Sequence, residues 1–189
     1  KYVIVTPSGT AALTMALMAA GVGPGDEVIA PDLTWIATAN AAAILGAKVV
    51  LVDCERDLPL IDPLAVKKKI SPKTKAIIPV HLNGRACALD QLRDMANECG
   101  AVLVEDACKA FASNTPRGYL GTVGGLGCFS LGMIAPVSAG YGGAVATNNL
   151  EYYERLLRIR NQGVPLKGEE QYSLPGFNFL IHPFQAAFA

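Results

Sequence analysis

The chain has 189 residues, of which 51% are hydrophobic and 17% charged, and its 16 acidic residues balance its 16 lysines and arginines. This length and composition are typical of one heavily buried domain with a sizeable core, and they exclude a disordered chain. The zero net charge gives no electrostatic footprint for nucleic acid or an anionic membrane, and no apolar run approaches the roughly 20 residues of a membrane helix.

In the first half of the chain, apolar helices alternate with short apolar strands. Periodicity and turn residues predict helices over residues 10–20, 35–45 and 63–70, and strands over residues 27–30 and 48–52. Gly21 and Gly46 stand where the first two helices are expected to end, as glycines at helix C-termini do.

The second half continues this alternation. Strands are predicted over residues 75–80, 101–104, 127–130 and 143–147, and helices over residues 89–99 and 150–160. Residues 184–189 begin a further helix that is cut short, so we interpret the sequence as an excised piece of a longer protein. Helices between apolar strands indicate βαβ units. The predicted fold class is therefore α/β, a three-layer sandwich of a mostly parallel sheet with helices on both faces.

The cysteines are odd in number and scattered, with no C-x-x-C pair; they are Cys54, Cys87, Cys99, Cys108 and Cys128. This pattern favours reduced, buried thiols over a disulfide or zinc framework. We therefore expect no metal site and a reducing, cytoplasmic location.

Three predicted strands are followed by polar side chains, namely His81, Asp106 and Ser130. In open α/β sheets, ligands bind at the carboxyl ends of the strands, so these residues are candidates for a site. An aspartate such as Asp106 can pair with a pyridinium nitrogen and keep it protonated. An ordinary loop carboxylate is an equally good interpretation of the same residue.

A Ser8-Gly9-Thr10 turn stands immediately before the first predicted helix. Its hydroxyl and backbone N–H groups, at the positive end of a helix dipole, are suited to hold a phosphate. Taken alone, however, the turn is more typical of a helix N-cap. Trp35, the only tryptophan, is open to two interpretations: it fills the core, or it stacks on a heteroaromatic cofactor.

The segment from Cys128 to Gly143 combines Ser130, a short turn and the glycines Gly140, Gly142 and Gly143. Glycines let the backbone turn tightly or approach a ligand without a Cβ clash. By itself, this segment is equally well explained as a flexible hairpin turn.

In their order and spacing, these motifs resemble the DegT/StrS-type sugar aminotransferases, which have the aspartate aminotransferase fold (fold type I of pyridoxal-phosphate enzymes). The resemblance covers essentially the whole chain. The matching stretches are residues 8–13, 23–29, 37–40, 73–82, 105–107, 128–130 and 160–163, and Asn178 with residues 185–187. It implies that residues 1–189 are the cofactor-binding large domain, with an N-terminal segment and a smaller C-terminal domain outside them.

The resemblance also implies a function. The cofactor is pyridoxal 5'-phosphate (PLP), and a homodimer with shared active sites moves an amino group from glutamate to a keto group on a nucleotide-linked sugar. The implied roles follow matching positions: Gly9, Thr10, Ala11 and Ser130 hold the cofactor phosphate, Trp35 stacks on the ring, Asp106 pairs with its nitrogen, and Asn178 reaches the phosphate in the partner subunit.

The chain departs from the family at the position of the catalytic lysine, where it has Ala135. A methyl group can neither bind the cofactor covalently nor move a proton, so we expect ordinary transamination to be severely impaired. Near the ring hydroxyl, where the family usually has Gln or His, this chain has Lys109. Leu180 replaces the family arginine two residues after Asn178.

Three explanations remain open for Ala135. An engineered replacement of lysine would trap an adduct in an otherwise competent aminotransferase. A natural relative would have diverged to PLP chemistry without that lysine, such as dehydration of a sugar, or to reliance on Lys109. A non-catalytic homologue would bind a ligand or pair with an active subunit.

Overall fold

A computed structural model of the protein describes residues 1–168 and 171–188. The strands in this part of the chain are β1 (Tyr2–Thr6), β2 (Glu27–Pro31), β3 (Lys48–Val52), β4 (Thr74–Ile77), β5 (Val102–Asp106), β6 (Asn114–Thr115), β7 (Gly118–Tyr119), β8 (Leu126–Ser130) and β9 (Gly143–Thr147). The helices are α1 (Gly9–Ala19), α2 (Ala37–Ala43), α3 (Pro63–Lys69), α4 (Leu89–Cys99), α5 (Leu150–Arg160) and α6 (Pro183–Phe188).

Seven strands form one mixed sheet in the order β1-β9-β8-β5-β4-β2-β3, and β6 and β7 form a separate hairpin. All neighbours from β8 to β3 run parallel. Strand β9 runs antiparallel to both β8 and β1. Consequently β1, β5 and β8 all end at the same edge of the sheet.

Helices cover both faces of the sheet and create two apolar cores. Because side chains alternate along a strand, Val104 of β5 packs with α1, α2 and α5, whereas Leu103 packs with α3 and α4. The predicted three-layer α/β sandwich is confirmed. No helix in the described part of the chain has both the length and the apolar character needed to cross a membrane.

Most predicted elements are present, with small changes at their ends. The second helix begins at Ala37 and not at Trp35, because Trp35 and Ile36 lie in the turn before it. The strand predicted to reach Val80 ends at Ile77. Pro79, which has no N–H to donate, interrupts the ladder there. Strand β1 and the β6–β7 hairpin were not predicted from the sequence.

Candidate functional site

A cavity of about 210 Å³ opens at the carboxyl edge of the sheet. It lies where β1, β5 and β8 end and where α1 begins. Its lining includes six residues proposed from the sequence: Gly9, Thr10, Trp35, Asp106, Lys109 and Ser130. The remaining lining residues are Ser8, Leu13, Thr34, Ala37, Thr38, Val80, Leu82, Cys108 and Ile134.

The first turn of α1 forms one wall of the cavity. Ser8 is the N-cap of α1, and its Oγ accepts a hydrogen bond of 3.0 Å from the Ala11 N–H. The N-cap interpretation is therefore confirmed, yet the same turn also faces the cavity. A Cβ added to Gly9 would lie 2.8 Å from Cβ of Ser130. Only glycine allows the start of α1 and the end of β8 to approach this closely.

Asp106 provides a buried carboxylate at the end of β5, with 5% of its surface exposed. Its Oδ2 accepts a 2.9 Å hydrogen bond from Thr38 Oγ1, and its Oδ1 accepts one of 3.1 Å from the Cys108 N–H. Thr38 has only one hydroxyl hydrogen, so it must accept its 3.0 Å bond from Thr34. Neither threonine was predicted as a site residue from the sequence, although their i, i+4 spacing at the start of a helix is a usable signal.

Glu105, the neighbour of Asp106, points to the opposite face of the sheet and is fully buried. His81 Nδ1 accepts from the Cys87 N–H, so its ring proton lies on Nε2, which donates to Glu105 at 2.9 Å. Glu105 also accepts from the backbone N–H groups of residues 121, 123 and 124. Burial raises the pKa of Glu105, but these hydrogen bonds outweigh burial and hold the pKa below its usual range. Of the polar strand-end residues, His81 is therefore structural.

The sequence profile of the DegT/DnrJ/EryC1/StrS aminotransferase family matches residues 1–189. This chain belongs to that family. The family consists of PLP-dependent aminotransferases, as the resemblance implied.

Solved structures of relatives share both fold and sequence. The S. venezuelae protein DesV, solved in complex with a ketimine intermediate, is 38% identical with a TM-score of 0.92, over 99% of this chain and 50% of DesV. Bacillus subtilis NtdA with bound cofactor PMP is 33% identical with a TM-score of 0.90, over 100% of this chain and 43% of NtdA. Helicobacter pylori PseC, an aminotransferase involved in the biosynthesis of pseudoaminic acid, is 26% identical with a TM-score of 0.88, over 100% of this chain and 52% of PseC. The chain thus spans about half the length of these family members.

Trp35 lies at the mouth of the cavity with 68% of its surface exposed. A side chain this exposed does not fill the core, so that interpretation is wrong. Its ring is free to contact a ligand in the cavity. Its proposed stacking on a cofactor ring stays a prediction.

Ala135, which the resemblance aligns with the family's lysine, lies in the loop between β8 and β9. The Ala135 N–H donates to the carbonyl of Gly132 at 2.9 Å, and the neighbouring residue Ile134 lines the cavity. Lys109 Nζ donates to the Ile134 carbonyl oxygen at 2.6 Å. The amine of Lys109, which follows the end of β5 by three residues, therefore lies beside the loop segment that contains Ala135.

Two residues proposed as cofactor ligands do not line the cavity. The Ala11 N–H is already donated to Ser8. Asn178 is exposed, and its Oδ1 accepts from the Leu180 N–H at 3.4 Å. A role for Asn178 in a partner subunit stays a prediction.

The thiols near the cavity are not activated. Burial and the adjacent Asp106 carboxylate raise the pKa of Cys108, and burial raises the pKa of Cys128. Both thiols therefore stay protonated near neutral pH and are unsuited to act as nucleophiles. All five cysteines are free, and the described residues contain no His, Cys, Asp or Glu cluster suited to a metal.

Proposed function

We propose that this chain binds PLP as the large domain of an aminotransferase that moves an amino group from glutamate to a keto group on a nucleotide-linked sugar. One observation carries the proposal: the fixed, buried carboxylate of Asp106 lies in the same small cavity as the first turn of α1. These two features match the two polar ends of PLP, a ring nitrogen and a phosphate.

The phosphate end would be held by Ser8, Gly9, Thr10 and Ser130. A helix N-terminus presents unpaired N–H groups and a partial positive charge, which favour a bound phosphate. The close approach of Gly9 to Ser130 places hydroxyls from two elements on the same cavity. Their clustering supports a phosphate at this end.

The ring end would be held between Trp35 and Asp106. Asp106 is suited to keep a pyridine nitrogen protonated, because Thr38 and the Cys108 N–H hold the carboxylate in place. When bound, PLP supplies an electron sink for the substrate carbon. Trp35 would cover the ring and shield it from water.

Ala135 favours a second candidate function. A methyl group can neither bind the cofactor covalently nor carry a proton between substrate and solvent. This residue supports a non-catalytic homologue that binds a ligand or pairs with an active subunit. It equally supports a PLP-dependent sugar dehydratase. The amino-group transfer and the nucleotide-sugar acceptor rest on the family alone.

The proposal includes a homodimer with shared active sites in a reducing, cytoplasmic environment. Exposed Asn178 is free to reach a neighbouring subunit, where it would contact the phosphate. The five free cysteines support a reducing compartment. The substrates of the whole protein are small molecules, glutamate and a keto-sugar.

Trp35 provides a direct test of cofactor binding, because it is the only tryptophan in the chain. Titration with PLP should quench its fluorescence in a saturable way. Asp106→Asn should raise the PLP Kd by about 10- to 100-fold, the worth of one hydrogen bond to a charged group. The control is Asp94→Asn, whose exposed side chain on α4 lies outside the cavity. Quenching that never saturates, or that is equal in both variants, would contradict the proposal.

A further inference from the structure

We propose that Lys109 is the amine that attaches the cofactor covalently to this chain, in place of the lysine missing at Ala135. This inference rests on the proposed function, since it requires PLP in the cavity. Enzymes of this kind hold PLP through a lysine amine and pair its ring nitrogen with an Asp or Arg. In this cavity, Asp106 would be the acidic partner of the ring nitrogen, and Lys109 would supply the amine.

Lys109 is the only lysine among the residues that line the cavity in the described part of the chain. It follows Asp106 by three residues, so the same turn after β5 carries both the carboxylate and the amine. The Cys108 N–H bonded to Asp106 fixes this turn. The same turn therefore presents both groups to the cavity.

The Lys109 amine lies beside the loop position that has lost its lysine. Nζ is 2.6 Å from the carbonyl oxygen of Ile134, the residue immediately before Ala135. The lysine side chain thus bridges from β5 to the β8–β9 loop. In the family, the reactive amine belongs to a lysine of the β8–β9 loop. In this chain, the amine of Lys109 reaches the same loop from the turn after β5.

The contacts of Nζ leave it available for reaction. Within the described residues, no carboxylate lies at ion-pair distance from Lys109, and Nζ donates to the neutral carbonyl of Ile134. An ion pair would hold the amine in its charged form, whereas a single carbonyl contact is readily exchanged. A lysine that only anchors the β8–β9 loop would make this same contact. The experiment must therefore distinguish covalent attachment of the cofactor from anchoring of the loop.

The covalent step balances without a further reagent. The protonated amine gives up two protons, and its nitrogen forms a C=N bond to the cofactor's aldehyde carbon. The aldehyde oxygen leaves with these two protons as water. The product keeps one proton and one positive charge on nitrogen, so charge is conserved.

Borohydride trapping tests the assignment without measuring activity. The protein is incubated with PLP, reduced with borohydride and digested, and the peptides are mapped by mass spectrometry. We expect the phosphopyridoxyl label on the peptide that contains Lys109, and loss of that label in Lys109→Arg. Arginine keeps the charge and the donor to the Ile134 carbonyl but does not form the C=N bond. Lys68→Arg, an exposed change on α3, should leave the label in place.

The outcomes separate the two proposals. Saturable PLP binding, measured by equilibrium dialysis, with the label absent or on other lysines would overturn the role of Lys109 and leave the proposed function standing. Failure of PLP to bind at all would overturn both. The labelled peptide is mapped in the protein without substitutions, so the result holds even if Lys109→Arg folds poorly. A lower Tm of Lys109→Arg would show that Lys109 also stabilises the β8–β9 loop.

Discussion

At the scale of single residues, Glu105 and Asp106 show how a strand gives adjacent carboxylates different roles. Their side chains point to opposite faces of β5. Asp106 faces the cavity, where Thr38 holds it. Glu105 faces the α3–α4 layer, where His81 and backbone N–H groups satisfy it completely. The first is available to a ligand, and the second stabilises the fold.

Glu105→Gln should lower the free energy of unfolding by about 3 kcal/mol at pH 7, because the amide places a donor against backbone donors in a buried site. The pKa of Glu105 is lowered from its ordinary value of 4.5. Its stabilisation is therefore fully present above pH 4.5 and is lost as pH falls through the lowered pKa of the folded state. Urea unfolding at several pH values measures this dependence.

The control for that change is Glu98→Gln, at an exposed position on α4. It should alter stability by less than about 0.5 kcal/mol. If Glu105→Gln lowers the free energy of unfolding only slightly, or by the same amount in acid as at pH 7, the buried Glu105–His81 pair contributes little to stability.

Ala135→Lys tests whether the remainder of the site is competent for transamination. A general acid–base group placed at this position should increase the rate of the half-reaction with glutamate by about 100-fold or more. Conversion of bound PLP to its amine form is followed by absorption. Ala135→Arg, which adds charge without a reactive amine, is the control and should leave the rate of the unsubstituted protein unchanged. If the lysine variant reacts no faster than the arginine variant, the non-catalytic interpretation is favoured.

At the scale of elements, the cavity depends on close backbone packing between β9, β8 and the turn before α1. A Cβ added to Gly143 would lie 2.5 Å from the Ser8 carbonyl oxygen and 2.7 Å from the Phe129 carbonyl oxygen. Backbone atoms cannot move aside as a flexible side chain does. Gly143 therefore sets the position of the proposed phosphate-binding turn relative to the sheet.

Gly143→Ala should lower stability by about 1–3 kcal/mol through overpacking. It should also weaken PLP binding, because the Ser8 turn must shift. Gly23→Ala is the matched control, since a Cβ there meets nothing within 4 Å. Urea unfolding and Trp35 fluorescence measure the two effects. Equal behaviour of both variants would show that the turn tolerates the displacement.

At the scale of the whole molecule, exposed apolar side chains lie beside the cavity. Trp35, Met133 and Ile134 are 68%, 74% and 72% exposed. The cavity of about 210 Å³ is also smaller than the roughly 300–1,000 Å³ usual for small-molecule sites. Both observations support a site completed by further protein surface, which a second subunit would supply.

Sedimentation should therefore show a dimer at micromolar concentration. Met133→Glu should shift the equilibrium toward the monomer, because a charge buried in an interface is costly. Leu64→Glu is the control: Leu64 is 66% exposed but lies on α3, which covers the other face of the sheet. A monomer at all concentrations, or equal effects of the two changes, would contradict the dimer.

Elements with strong local signals could be predicted from the sequence alone. Helices α4 and α5 and strand β9 begin and end where predicted. In α5 the Asn149 cap, and in α4 the left-handed Gly100, mark the boundaries through neighbouring atoms alone. The strand-end rule likewise located Asp106 and Ser130 at the cavity.

The contacts that the site residues make depend on how the sheet and helices pack. Thr38 and Asp106 are 68 residues apart in the chain, His81 and Glu105 are 24 apart, and Lys109 and Ile134 are 25 apart. Such pairs leave no periodic pattern, because each forms only when sheet and helices pack together. For the same reason, the composition around Trp35 did not show that its ring faces solvent and not the core.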